Sequence, residues 1–252
     1  MELARVWAFT FAWDLGRYLV AAGALFAVVW VFARPRFEPR LVGKRWASAK
    51  DIRREIRYSL STAVIFSLVG AGVRLGGRAG VFRFEESVLA RGVAYEAFAT
   101  AALVVLHDAY FYWTHRAMHH PRLFRLVHRA HHLSHDPSPW AAYAFGPIEA
   151  VIQAAYVPLV LLVLPADELA LFLFLAFMIV RYVIGHAGAE MFSRGFVRGP
   201  LAFLSTTTTH HALHHRRADV NYGLYFPWWD RWMGTTHPAY EATFEEVTRA
   251  KT

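Results

Sequence analysis

Three separated groups of histidines have to meet in space if they are to act together, and that requirement constrains this chain more than any other feature. His115 and His119 are four residues apart, His128 is followed at three and four by His131 and His132, and His211 is followed at three and four by His214 and His215. Residues three and four apart share one face of a helix, so each group is expected to aim two or three imidazoles at one point. Eight of the 14 histidines lie between His107 and His135, a second knot covers His210 to His215, and His186 stands between them. A single HxxxH pair occurs on any amphipathic helix. Two HxxHH groups with an HxxxH in one chain describe a multi-histidine metal site, since imidazole is a common ligand for iron, zinc, copper and nickel.

The rest of the composition points to a membrane. Hydrophobic residues make up 56% of the chain and charged residues only 18%, with a mean hydropathy of +0.26, whereas an ordinary soluble domain carries about 25% charge. The net charge of +8 comes from basic residues beside apolar runs. Anionic headgroups and topology explain that placement better than nucleic acid does. The absence of cysteine excludes disulfides, thiolate zinc sites and cysteine-ligated iron–sulfur clusters.

In chain order, an apolar run from Val6 to Phe32 holds Asp14 and Arg17, three apart and able to pair; it is expected to be a retained membrane helix. A basic connector over residues 34–57, with Lys44 among its charges and Pro35 and Pro39 stopping the helix, marks the cytoplasmic side. A second span over Tyr58–Leu75 leads to an outer connector with Glu85 and Glu86. A third, Val93–Trp113, returns to the cytoplasmic side at the first histidine pair. Pro121 then breaks the helix, and the amphipathic stretch Arg122–Leu133 is too short and basic to span. Two apolar runs, Ile148–Leu164 and Glu168–Ile184, are expected to form a helical hairpin turning at Pro165–Asp167 and delivering His186 back to the other histidines. No spanning run follows residue 193. The expectation is a single integral-membrane domain over 1–252, an all-α membrane protein with about four transmembrane helices and a cytoplasmic histidine-rich helical cap.

Nine histidines are the candidate metal ligands: His115, His119, His128, His131, His132, His186, His211, His214 and His215. One ion rarely takes more than four to six protein ligands, so nine imply two metals close together with a position open for substrate, water or oxygen. His107 sits two turns deeper than His115, and His135 follows His131 by four. With His210, Asp108, Asp219 and Asn221 they are candidates for additional ligation or for orienting the imidazoles. His120 points off its group's main face and His237 stands apart. Arg181, deep in a span, is expected to bind a polar lipid head or to pair with Glu149. Asp230 is expected to pair locally, and Trp228, Trp229 and Trp232 to anchor at the interface. No HExxH motif is present. The all-nitrogen donor set suits iron and would also bind zinc. The residues therefore leave open a redox enzyme, a zinc-dependent membrane hydrolase or isomerase, and a non-catalytic membrane metal-binding protein.

The run HDAYFYWTHRAMHH…HRAHHLSHDPSP, then Glu149, then HAG, then HHALHHRRADVNYGLYFPWWDRWMGT resembles the sterol desaturase / fatty acid hydroxylase superfamily over about residues 95–238, flanking residues such as Tyr112, Arg116, Tyr222 and Gly234 included. The resemblance implies an integral membrane protein with four helices and a cytosolic di-iron centre held by the nine histidines. It implies an oxidoreductase that uses O2 and two electrons to hydroxylate or desaturate a C–H bond of a sterol, fatty acyl or related lipid. Electrons are expected from a separate donor of ferredoxin or cytochrome b5 type, zinc can occupy the sites in purified protein, and the expected location is a bacterial inner membrane.

Overall fold

The computed structural model describes residues 1–43, 45–85 and 87–249; Lys44 of the basic connector and Glu86 of the outer one lie outside the described residues. Helix α1 (Glu2–Phe26) buries a stripe of period four, Val6, Thr10, Asp14, Tyr18 and Ala22, and turns Phe9, Trp13 and Val20 outward. A half-apolar, half-exposed helix of this kind is what a lipid-facing position selects. It continues as a π-helix over Ala27–Phe32, and Thr10 ties it to α2 by donating to the Ser67 carbonyl at 3.0 Å. Helix α2 (Ala49–Arg78) starts well before the expected Tyr58. Ser48 and Asp51 form a capping box, with the Ser48 hydroxyl accepting from the Asp51 amide at 3.2 Å and the Asp51 carboxylate accepting from the Ser48 amide at 3.3 Å. The second half of the basic connector is thus helical.

Helix α3 (Val93–Met118) carries the first histidine pair at its end. The stretch expected as one amphipathic unit breaks at His128 into α4 (Pro121–Val127) and α5 (Arg129–His132). The first arm of the hairpin is also broken, into α6 (Pro147–Ala154) and α7 (Tyr156–Leu161), and is too short to count as a span by itself. Its second arm is α8 (Glu168–Gly185), started by Asp167, whose carboxylate accepts from the Ala170 amide at 2.9 Å. Three helices, Glu2–Phe32, Ala49–Arg78 and Glu168–Gly185, are long and apolar enough to cross a membrane.

The hairpin does turn where expected. Strand β2 (Ala166–Asp167) pairs in parallel with β1 (Phe84–Glu85) in the connector after α2, and the Asp167 carboxylate also accepts from the Leu89 amide at 2.9 Å. At the other end of the bundle, Leu41 bridges to Ala189 and the Val42 amide donates to the Gly188 carbonyl at 3.2 Å. The basic connector and His186 therefore share one end, and the hairpin tip the opposite one. Helices α9 (Thr208–Arg216), α10 (Trp228–Trp232) and α11 (Tyr240–Thr248) close the histidine end. The main core lies among α1, α3, α8 and the turn Pro139–Tyr143, with Tyr18, Leu103, Phe174 and Tyr225 fully buried.

Candidate metal centre

All nine candidate ligands converge, in two groups. His115, His119, His128, His132 and His214 offer ligand atoms within 4.8 Å of one another, and so do His131, His186, His211 and His215. Eight of the nine are buried, and His119 alone is partly open. The expectation that each HxxHH aims at one point is corrected by how these residues divide. The i,i+4 pairs stay together: His115 with His119, His128 with His132, His211 with His215. The i+3 residue of each HxxHH, His131 and His214, joins the other group. Neighbours such as His131 and His132 differ by about 100° around a helix, so one short segment serves two centres.

Backbone carbonyls fix the rings. His115 Nδ1 donates to the Tyr222 carbonyl at 2.8 Å, His186 Nδ1 to that of Tyr182 at 2.7 Å, and His214 Nδ1 to that of Val220 at 2.7 Å. A carbonyl only accepts, so each of these neutral rings carries its proton on Nδ1 and turns a bare Nε2 lone pair inward. The fourth anchor is Glu149, buried 2.7 Å from His128 Nδ1. The two atoms meet without hydrogen-bond geometry.

The inward nitrogens then crowd. His115 and His128 hold their Nε2 atoms 3.0 Å apart, and His132 and His214 hold theirs 3.1 Å apart. In the second group His186, His211 and His215 form a triangle with edges of 3.0, 3.1 and 3.3 Å. That triangle has three contacts and at most two N–H donors, because the His186 proton is committed to Tyr182. Extra protons are unavailable. Burial pushes His128, His131, His132, His211 and His215 well below the ordinary imidazole range, with neighbouring imidazoles adding to it, and takes His186 and His214 down to about 4. A divalent cation at the centre of each group satisfies every nitrogen at once, so the donor set fits two metal ions, iron among them.

The remaining candidates fall outside the groups. His107 faces Tyr225, with Nδ1 2.9 Å from the hydroxyl, and packs on Tyr156 and Phe174. Asp108 accepts from the Tyr225 and Phe226 amides at 2.9 and 3.2 Å, and so pins the loop before α10. His135 is exposed, and His120 caps α4 through the Arg122 amide at 3.4 Å. Asp219 is exposed and paired with Arg217 at 2.8 Å. His237 is partly buried, its ring accepting from the Ala239 amide at 3.0 Å. Arg181 neither lies free for a lipid head nor meets Glu149. It donates to the Thr206 carbonyl and hydroxyl at 2.9 and 3.0 Å, because the loop ahead of α9 passes over its helix. Trp229 stacks on Tyr112, Trp228 donates to the Phe203 carbonyl at 2.6 Å, and Trp232 is exposed.

Asn221 and His210 do position the site. Asn221, left-handed with φ 55°, donates to the His210 carbonyl at 2.9 Å and accepts from the His237 amide at 2.7 Å. His210 Nε2 stands 3.2 Å from Asp230, fully buried. Asp230 is the residue whose weight the sequence hid. It accepts from the Tyr222 and Gly223 amides at 2.9 and 2.8 Å and from the Thr235 hydroxyl at 2.7 Å. These donors and His210 hold its carboxyl down to about 2 despite burial. It thereby fixes the strand of chain whose Tyr222 carbonyl orients His115.

A cavity of about 520 Å³ lies in the bundle, lined by Trp13, Phe66, Phe172, Leu175 and Tyr182 among others. Tyr182 connects it to the centre: its ring lies 5.9 Å from Phe145, which lies 5.3 Å from His131.

A Delta(7)-sterol 5(6)-desaturase of Gibberella zeae is 31% identical over 186 residues, 73% of this chain and 56% of the relative. One of Aspergillus fumigatus is 28% identical over 239 residues, 86% of this chain and 71% of the relative. A lathosterol oxidase of Rattus norvegicus is 31% identical over 136 residues, 52% of this chain and 43% of the relative. The chain thus spans about four to seven tenths of the length of these relatives. No solved structure gives a significant match. The family model described as fatty acid hydroxylase matches residues 100–235, more than half of the 252 residues and all nine converging histidines, and the chain belongs to that family.

Proposed function

We propose that the chain is an O2-dependent oxidoreductase that hydroxylates or desaturates a C–H bond of a sterol, fatty acyl or related lipid, with two iron ions held by the nine histidines. The observation that carries this reading is the pair of imidazole groups whose Nε2 lone pairs face one another at 3.0–3.3 Å. Iron bound there supplies the reduction of O2 and the oxidising strength that an unactivated C–H bond requires. The net reaction takes two electrons and two protons with each O2, yielding an alcohol and one water, or an alkene and two waters. Electrons come from a separate protein of ferredoxin or cytochrome b5 type.

The chain's own residues do the rest. The carbonyls of Tyr222, Tyr182 and Val220 orient the rings so that their Nε2 atoms face the centre. The buried ligands exclude bulk water from the centre. Helix α3 is the fourth membrane-crossing segment in this reading. Its outer part, Val93–Leu106, is apolar but for Glu96 and Thr100, and its length matches its neighbours. The density of arginine at the histidine end supports a cytoplasmic side for that end.

The test is product formation by iron-loaded protein in lipid with 18O2 and a reductant. The expected result is conversion that requires both O2 and electrons, with the label in water and, for hydroxylation, in the lipid alcohol. Conversion at the same rate without O2 and reductant would overturn the reading in favour of a zinc-type hydrolase or isomerase.

A further inference from the structure

The cavity is apolar except at a few points, and two of these are placed together by the fold. Asp14 and Arg17 pair within α1, and both line the cavity. Gln153, on α6, also lines it, is only 6% exposed, and leaves both its amide oxygen and its amide nitrogen without a partner. Leaving a buried amide unpaired is costly, so a side chain in this state, on the wall of a cavity, is set to receive something. Gln153 follows Glu149 by one helical turn, about 6 Å along the axis, and Glu149 is the residue 2.7 Å from His128. The unmet amide therefore sits at the histidine end of the cavity. At the other end, Phe84 and the ion pair of Arg74 with Glu168 at 2.7 Å close the hairpin side.

We propose that this cavity seats the lipid and that Gln153 is its specificity-determining contact, binding an uncharged hydroxyl group of the lipid. A hydroxyl both donates and accepts, so it can meet the amide oxygen and the amide nitrogen together. A carboxylate or phosphate only accepts and would leave the amide oxygen unmet, and the Arg17 and Arg74 charges on the cavity wall are paired with Asp14 and Glu168. The lipid then lies with its polar end toward the histidines and its apolar body along Phe172 and Leu175. It follows that the oxidised carbon lies within a few bonds of the hydroxyl, not at the end of a tail. The inference rests on the proposed lipid chemistry only for what is bound. Binding itself is measurable without turnover.

The experiment is equilibrium binding to metal-loaded protein in nanodiscs under anaerobic conditions. Lathosterol and 1-octadecanol serve as probes, each competed against its hydroxyl-free hydrocarbon and against palmitate. The wild-type protein is expected to prefer at least one hydroxyl lipid over its hydrocarbon by about 10- to 100-fold, and over palmitate as well. In Gln153→Leu and Gln153→Met that preference is expected to fall to about threefold or less, with the hydrocarbon still bound, while Leu175→Trp removes binding of both. A wild-type preference already below about threefold overturns the proposal, and so does a preference unchanged in the Gln153 variants or binding unaffected by Leu175→Trp. If turnover proves independent of O2, the proposed oxidation fails while this preference stands.

Discussion

Tyr182 and His186 are joined by a hydrogen bond of 2.7 Å from the ring Nδ1 to the main-chain carbonyl, and the same Tyr182 turns its side chain onto the cavity. One turn of α8 therefore has the cavity on one side and an inward-facing imidazole nitrogen on the other. A Tyr182→Ala change removes the ring but leaves the carbonyl. It is expected to preserve metal content while lowering lipid turnover about 10-fold or more through lost positioning. Iron analysis and product formation on one preparation check this.

Removing a candidate ligand should lower metal content and activity together. His131→Ala and His214→Ala each leave one group short of a donor and opposed to its neighbours. Activity is expected to fall below detection, and iron bound per chain to drop, while membrane insertion and helix content stay unchanged. Retention of activity in both variants would break the assignment.

Asp230 tests the positioning layer. Asp230→Ala leaves the Tyr222 and Gly223 amides and His210 unpartnered, and is expected to cost about 3–5 kcal/mol of stability and about 10–100-fold in metal affinity. The pH sign follows from its lowered value. A carboxyl held near 2 in the folded protein, against 3.8 ordinarily, stabilises fully above pH 3.8, and that contribution is lost as pH falls toward 2. Asp230→Asn is expected to flatten that part of the acid-stability curve measured by thermal melting.

Metal removal exposes a second pH dependence, at higher pH. His186 and His214 titrate near 4 when buried, against 6.5 ordinarily, so between those values the unfolded chain binds more protons than the folded one. Chelated protein is therefore expected to lose melting temperature steadily from pH 6.5 to 4. Metal-loaded protein is expected to hold steady until protons displace the ions.

Arg181 is a control on a purely structural role. Arg181→Met strips donors from the Thr206 carbonyl and hydroxyl, and is expected to cost about 1–3 kcal/mol without changing iron bound per folded chain. Circular-dichroism melts with metal analysis separate the two.

What the sequence made legible is the part encoded by periodicity. His115 with His119 and His211 with His215 could be placed on shared helix faces from spacing alone, and the hairpin tip from Pro165 and Asp167. The division of His131 from His132, and of His214 from His215, was not legible, since spacing says which imidazoles share a helix face and not which of two centres each face meets. Nor were the anchors. Tyr222, Val220 and Tyr182 act through their carbonyl oxygens, and a main-chain atom leaves no trace in residue type. Glu149 lies 2.7 Å from His128 but 21 positions away, and Gln153 became conspicuous only once its neighbours were seen to give it no partner.

The central claim is that the imidazoles hold two metal ions in two distinct pockets. Anomalous scattering at the iron absorption edge, from crystals grown anaerobically with iron, tests it most directly. The account predicts two peaks, one enclosed by His115, His119, His128, His132 and His214 and the other by His131, His186, His211 and His215. A single peak shared by both groups, or iron lying away from all nine rings, would contradict it.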